Sequence, residues 1–280
     1  MIFELALWIG LGIVATAFVC EYLDSTLGMG YGTILTPVLL ILGFQPMQIV
    51  PSVLLSELFT GILAGFTHHE LGNVELFPRK KKVKDILRRL HEIGYVNGFR
   101  EEAPKALKIT MLIASCSIIG TVVAVLIAVS IPKFYLKLYI AVLITLIGAV
   151  ILASRNMMFA FSWRKITALS ILASFNKGLS GGGYGPVVTG GQILSGVDEK
   201  NAIGITSLAE GLTCVVGVFM YFVTGVQIDW VLAPYLLVGA ILSVPISAYT
   251  VKIIKTDKLR LMIGVVTLIL GAYAIYSLIG

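Results

Sequence analysis

Charge is scarce in this chain: 13% of its 280 residues are Asp, Glu, Lys or Arg, against 58% apolar, and mean hydropathy is +0.96. That balance excludes an ordinary water-soluble globular domain, in which about a quarter of residues are charged. Cysteine is nearly absent. Cys20, Cys116 and Cys214 are odd in number, far apart and inside apolar segments, which excludes a disulfide framework and leaves them as small buried filler. Histidine is equally sparse: His68 and His69 close one apolar segment and His91 falls in a basic stretch. A metal centre needs more ligands at helical or hairpin spacing, so neither metal nor cofactor is expected. No nucleophile stands with a base, so no enzyme is expected. The first apolar segment, Leu5 to Cys20, has only Glu4 before it and lacks the basic start of a cleaved leader; it reads as a retained span.

What is present is a series of long apolar runs. Charge-free windows cover Ile109 to Pro132, Leu138 to Ser154, Trp230 to Val251 and Leu261 to Gly280, and about 20 apolar residues cross roughly 30 Å of hydrocarbon. The fold class is therefore an all-α, polytopic integral membrane protein. Ten apolar elements can be read: about 2–22, 33–44, 47–67, 106–131 and 134–154, then 162–176, 186–196, 199–224, 231–253 and 258–279. The second five repeat the first five. A shift of 153 pairs Gly28 with Gly181, Gly30 with Gly183, Tyr31 with Tyr184, Gly32 with Gly185 and Glu57 with Glu210, while a later shift of 123 pairs Gly148 with Gly271. The first repeat covers 1–155 and the second 156–280. The difference is an insertion at about 76–105.

That insertion is basic. Nine of the 21 Lys and Arg lie between Arg79 and Lys105, and within about 79–93 Val83, Ile86, Leu87, Leu90 and Ile93 recur at helical spacing beneath lysines and arginines. The pattern fits a basic amphipathic helix on the anionic inner leaflet, or a plain cytoplasmic loop that fixes orientation. Membrane lipid is thus an expected partner; nucleic acid is not. If all ten elements cross and this loop is inside, the loops with Arg155, Arg164 and Lys165 and with Lys252, Lys255, Lys258 and Arg260 also fall inside. Five crossings per half make the repeats inverted, with both termini outside the cytoplasmic membrane. The rival arrangement, with the short elements re-entrant and the repeats parallel, puts the last of these loops outside.

The two glycine stretches, Gly28-Met29-Gly30-Tyr31-Gly32 and Gly181-Gly182-Gly183-Tyr184-Gly185, interrupt hydrocarbon-soluble helix at matching places. A break there leaves backbone groups unpaired unless protein or a water-filled cavity receives them, and duplicated breaks point to a binding site at mid-membrane. The helices that follow, near Thr33 and Pro186, aim N-terminal N–H groups at a bound anion. Candidate binding residues are Gly28, Gly30, Tyr31, Gly32, Thr33, Lys177, Gly181, Gly183, Tyr184 and Gly185. With Leu27 and Pro37 around the first copy and Ser180 before the second, the stretches resemble the duplicated glycine signatures of the TauE/SafE sulfite exporter family, over nearly the whole chain. The resemblance implies a secondary transporter for sulfite or related organosulfur and sulfur oxyanions.

Charged residues inside the bilayer are expensive and therefore informative. Glu57 and Glu210 occupy equivalent positions, and Asp24 aligns with Lys177. The three carboxylates are candidates for proton coupling; the glutamates could equally serve as structural caps of the broken backbone. Two other functions stay open. One is a cation or metal-ion transporter using Glu57 and Glu210; the other is an intramembrane redox enzyme using the cysteines and histidines.

Overall fold

The computed structural model describes residues 7–78, 99, 101, 103–128, 133–154, 156–157, 159–180, 184–223, 225 and 227–279. The basic segment at about 79–93 lies outside these residues, as do Gly181, Gly182 and Gly183 and the side chain of Lys177. Among the described residues the helices in chain order are α1 (Leu7–Leu27), α2 (Tyr31–Ile41), α3 (Pro46–Leu71), α4 (Lys105–Ala128), α5 (Lys133–Ala153), α6 (Trp163–Ser180), α7 (Tyr184–Leu194), α8 (Glu199–Val223), α9 (Ala233–Ile253) and α10 (Thr256–Ile279). Five of them, within α1, α3, α8, α9 and α10, are long and apolar enough to cross a membrane. The protein is a multi-pass membrane protein. At 11 residues each, α2 and α7 reach only about 16 Å, half a bilayer core.

Local chemistry sets the ends. Helix α3 begins on Pro46, where the missing N–H costs nothing, with Gln45 and Gln48 closing a capping box, and it ends on Gly72 at φ 83°. Helix α1 runs further than its apolar pattern suggests, through Asp24, Ser25 and Thr26, and stops only where Gly28 turns left-handed at φ 72°.

Equivalent helices of the two halves lie against each other, and they run antiparallel. Along α3 and α8, Leu54 meets Gly217, Glu57 meets Cys214, Gly61 meets Gly211, Gly65 meets Leu208 and His68 meets Gly204, so one number rises as the other falls. Along α5 and α10 the contacts are Thr145 with Gly271, Gly148 with Leu268 and Leu152 with Gly264. The approach is close because small residues line it: a Cβ on Gly61 would stand 2.7 Å from Gly211 N, the small-residue packing that holds helices together in lipid. The remaining long helices pair across the halves with non-equivalent partners. Helix α1 packs on α9 and α6 on α4; α3 also packs on α9, and α8 on α4.

Three basic connections gather at one end of the bundle. Arg260, at the start of α10, pairs with Glu199 at 2.6 Å and donates to the Met157 carbonyl at 2.9 Å. Lys200 donates to the Lys252 carbonyl at 2.8 Å. The flanks of the basic insertion lie there too, since Asn73 donates to Ala248 O at 2.8 Å and Lys105 Nζ stands 3.2 Å over the Phe161 ring. At the opposite end Gln48 donates to Asp229, which caps the approach to α9.

Candidate functional site

Between Asp24 and Tyr31 the chain turns through Gly28 at φ 72° and Gly30 at φ 129°, a region that side chains resist. The turn releases backbone groups from the last turn of α1 and the first of α2, and in hydrocarbon each needs a partner. Side chains from several elements supply them. Asp24 Oδ1 accepts from the Tyr31 N–H at 3.1 Å. His68, on α3, donates from Nε2 to the Ser25 carbonyl at 2.9 Å. Thr189, on α7, donates to the Gly28 carbonyl at 2.8 Å. The first break is thus completed by the second half.

The proton on His68 is located by its neighbours. Asn73 Nδ2 donates to Ala248 O and to His68 Nδ1, the latter at 2.9 Å, so Nδ1 accepts and the ring hydrogen sits on Nε2, facing Ser25. Replacing Asn73 with leucine strips the donor from two buried acceptors. The expected cost is about 1–3 kcal/mol per group left unpaired, read as a lower thermal midpoint of the purified protein; an unchanged midpoint contradicts this role.

The second break meets the first. A Cβ on Gly185 would lie 2.6 Å from Gly28 O and 2.8 Å from Met29 Cα. Tyr31 and Tyr184, each opening a short helix, are both buried. The Tyr31 hydroxyl lies 2.8 Å from Ser56 Oγ, and the Tyr184 hydroxyl 3.2 Å from Ser117 Oγ and 3.5 Å from Thr213 Oγ1. Gly32 and Thr33 follow, half-buried, in the first turn of α2.

Beside the breaks, where α3 crosses α8 at Gly61 and Gly211, a small cavity is lined by Glu57, Glu210, Asp24 and Glu21, with Thr60 and Ser207. Its room is about that of one water. Glu57 and Glu210, equivalent in sequence, therefore share one space, and Asp24 joins them. The sequence reading did not single out Glu21, which is 2% exposed and accepts from the Thr60 hydroxyl at 3.1 Å. Its spacing of three from Asp24 on one helix was the available signal. Cys214 Sγ lies 3.5 Å from Glu57 Oε2. Among the described residues no group of three or more His, Cys, Asp or Glu side chains is arranged to hold a metal ion.

Two comparisons bear on what such an arrangement does. The family model described as sulfite exporter TauE/SafE matches residues 13–79 and 93–274; the gap between the two blocks falls in the basic insertion. The probable membrane transporter protein YtnM of Bacillus subtilis (strain 168) is 23% identical over 258 residues, covering 87% of this chain and 75% of the relative.

Proposed function

The chain belongs to the sulfite exporter TauE/SafE family of membrane transporters, and from that premise we propose that it is a secondary transporter of the cytoplasmic membrane for a small anion, sulfite or a related organosulfur or sulfur oxyanion. The observation that carries the reading is the seating of Gly185 against the Gly28–Met29 backbone, which brings two interrupted helices together where a substrate can be held by backbone N–H groups. Gly28, Gly30, Gly32 and Thr33 flank this contact in the first half; Gly181, Gly183 and Lys177 enter the proposal from their place in the sequence alone. The antiparallel pairing of α3 with α8 and of α5 with α10 supports an inverted repeat, in which one half rocks against the other to give alternating access.

Glu21, Asp24, Glu57 and Glu210 are the proton-coupling groups in this reading, because a space the size of one water suits a proton and repels a second anion. The same cavity favours a second reading, a cation as the transported species. The gathering of three basic connections at one end supports that end as cytoplasmic, both termini as external, and the segment at about 79–93 as lying on the inner leaflet. Proteoliposomes offered sulfite, thiosulfate, sulfoacetate and sulfate, with and without an imposed proton gradient, test the proposal. Accumulation of at least one, faster with the gradient, is the expected result. Uptake of none sinks the anion reading, and cation-dependent currents without anion flux favour the second.

A further inference from the structure

The repeat duplicates the glycine break, and Glu57 as Glu210, but not the two carboxylates on the helix before the break. The shift of 153 that pairs Tyr31 with Tyr184 brings Glu21 onto Ser174 and Asp24 onto Lys177. In the first half the protein supplies its own anions. Asp24 already occupies the Tyr31 N–H, and Glu21 takes the hydroxyl of Thr60. A transported anion entering there would meet carboxylates at the positions it needs.

The second break offers donors instead. Four buried hydroxyls from four helices converge: Tyr184 on α7 lies 3.2 Å from Ser117 on α4 and 3.5 Å from Thr213 on α8, and Ser174 Oγ on α6 lies 3.0 Å from Ser117 Oγ. Each of the three aliphatic hydroxyls also reaches the carbonyl four residues back, Ile113 at 2.9 Å, Ser170 at 2.6 Å and Ala209 at 2.7 Å. A hydroxyl can donate its single O–H to such a carbonyl and rotate it to an incoming acceptor instead. The cluster is therefore satisfied when empty and donating when occupied. Lys177 follows Ser174 by three residues in the same helix.

We propose that the two breaks divide the work: the oxyanion is held beside the second break by the hydroxyls of Ser117, Ser174, Tyr184 and Thr213, and the carboxylates beside the first, Glu21, Asp24 and Glu57 with Glu210 of α8, carry the proton. The inference rests on the anion reading above and names the groups that recognise its substrate. Several oxygens on one centre, each accepting an O–H donor, are what such a cluster selects.

The test is sulfite uptake into proteoliposomes, or uptake of whichever panel anion the wild type takes, with KM and Vmax measured separately. Tyr184→Phe and Thr213→Val are expected to raise KM about tenfold or more, the loss of one donor to a charged oxygen, with Vmax within about threefold. Thr213→Ser, which keeps the hydroxyl, is expected to restore KM to within about twofold of wild type. Tyr31→Phe, the first-half equivalent, is expected to lower Vmax and to leave KM within about twofold. Elution of each variant at the wild-type volume in size-exclusion chromatography shows that it folds. A flat KM across the second-half variants, or a Tyr31→Phe shift equal to that of Tyr184→Phe, overturns the division of labour alone. Wild-type protein that takes up no panel anion overturns the anion reading and this inference with it.

Discussion

Gly185→Ala is expected to abolish transport and to cut the yield of monodisperse protein, although it adds a single methyl group. The new Cβ would stand 2.6 Å from Gly28 O, 2.8 Å from Met29 Cα and 3.0 Å from Met29 Cβ. Those neighbours are mostly backbone, and the Gly28 carbonyl is already held by Thr189. No rotamer change relieves the clash, so the two broken helices have to separate. Overpacking that side chains can absorb costs about 1–3 kcal/mol; here the strain falls on the contact between the two broken helices, and flux should drop at least about tenfold beyond any loss of folded protein.

Two companion substitutions make the result specific. Gly28→Ala meets the side chain of Thr189 and also needs a left-handed backbone, which costs an L residue about 1–2 kcal/mol. Combining it with Thr189→Ala removes the contacts with Oγ1 and Cγ2 but leaves Cβ at 3.1 Å and strips the Gly28 carbonyl of its donor, so the double variant should stay well below wild-type stability. Gly12→Ala, whose Cβ meets nothing within 4 Å, should behave as wild type. Near-normal flux in Gly185→Ala would show that the breaks need not touch.

The elements themselves were readable because hydrocarbon imposes a simple code. Runs without charge became helices, and most boundaries fell within about three residues, as for the element read at 199–224 and found as Glu199–Val223. Helix α1 is the instructive exception. Its apolar pattern stops near residue 22, but the helix continues through Asp24 and Ser25 to Leu27 because those polar groups face partners within the protein rather than lipid. Composition reports only the lipid-facing half of a helix's surroundings.

The site was legible where the repeat marked it and hidden where it did not. Glu57 and Glu210 stand out because they recur at one shift, and the structure sets both on one cavity. Glu21 aligns with Ser174, so a search for recurring residues passes over it. Gly61 aligns with Cys214, and the crossing of α3 and α8 pairs it instead with Gly211. Symmetry in sequence finds what both halves share. Contacts across an antiparallel pair join residues that are not equivalent, and only the packed structure brings these together. The capping of the first break is hidden for the same reason: His68 and Thr189 lie 43 and 161 residues from the carbonyls they serve.

Glu21→Gln is expected to uncouple transport from the proton gradient while leaving the bundle intact. The amide keeps the size of the carboxylate, and its oxygen can still accept from the Thr60 hydroxyl, which lies 3.1 Å from Glu21 Oε2. What it loses is the ability to bind and release a proton beside Asp24, Glu57 and Glu210. The four carboxylates line a space that holds about one water, where like charges repel, so the cluster is a natural place for a proton to be exchanged in the proposed cycle. In the proposed reading a proton moves through this cluster with each cycle, and Glu21, 2% exposed with Thr60 beside it, is its most buried member. Gradient-driven accumulation should fall at least about tenfold, while exchange of labelled for unlabelled anion at equal pH, which needs no net proton movement, should persist within about threefold of wild type. Thr60→Val separates the role of the carboxyl from that of its hydrogen bond: it removes the donor but keeps the acid, so coupling should survive at reduced stability, by about 1–3 kcal/mol. If Glu21→Gln accumulates anion as the wild type does, Glu57, Glu210 and Asp24 are left to couple without it; if exchange is lost along with accumulation, Glu21 supports the fold rather than the proton.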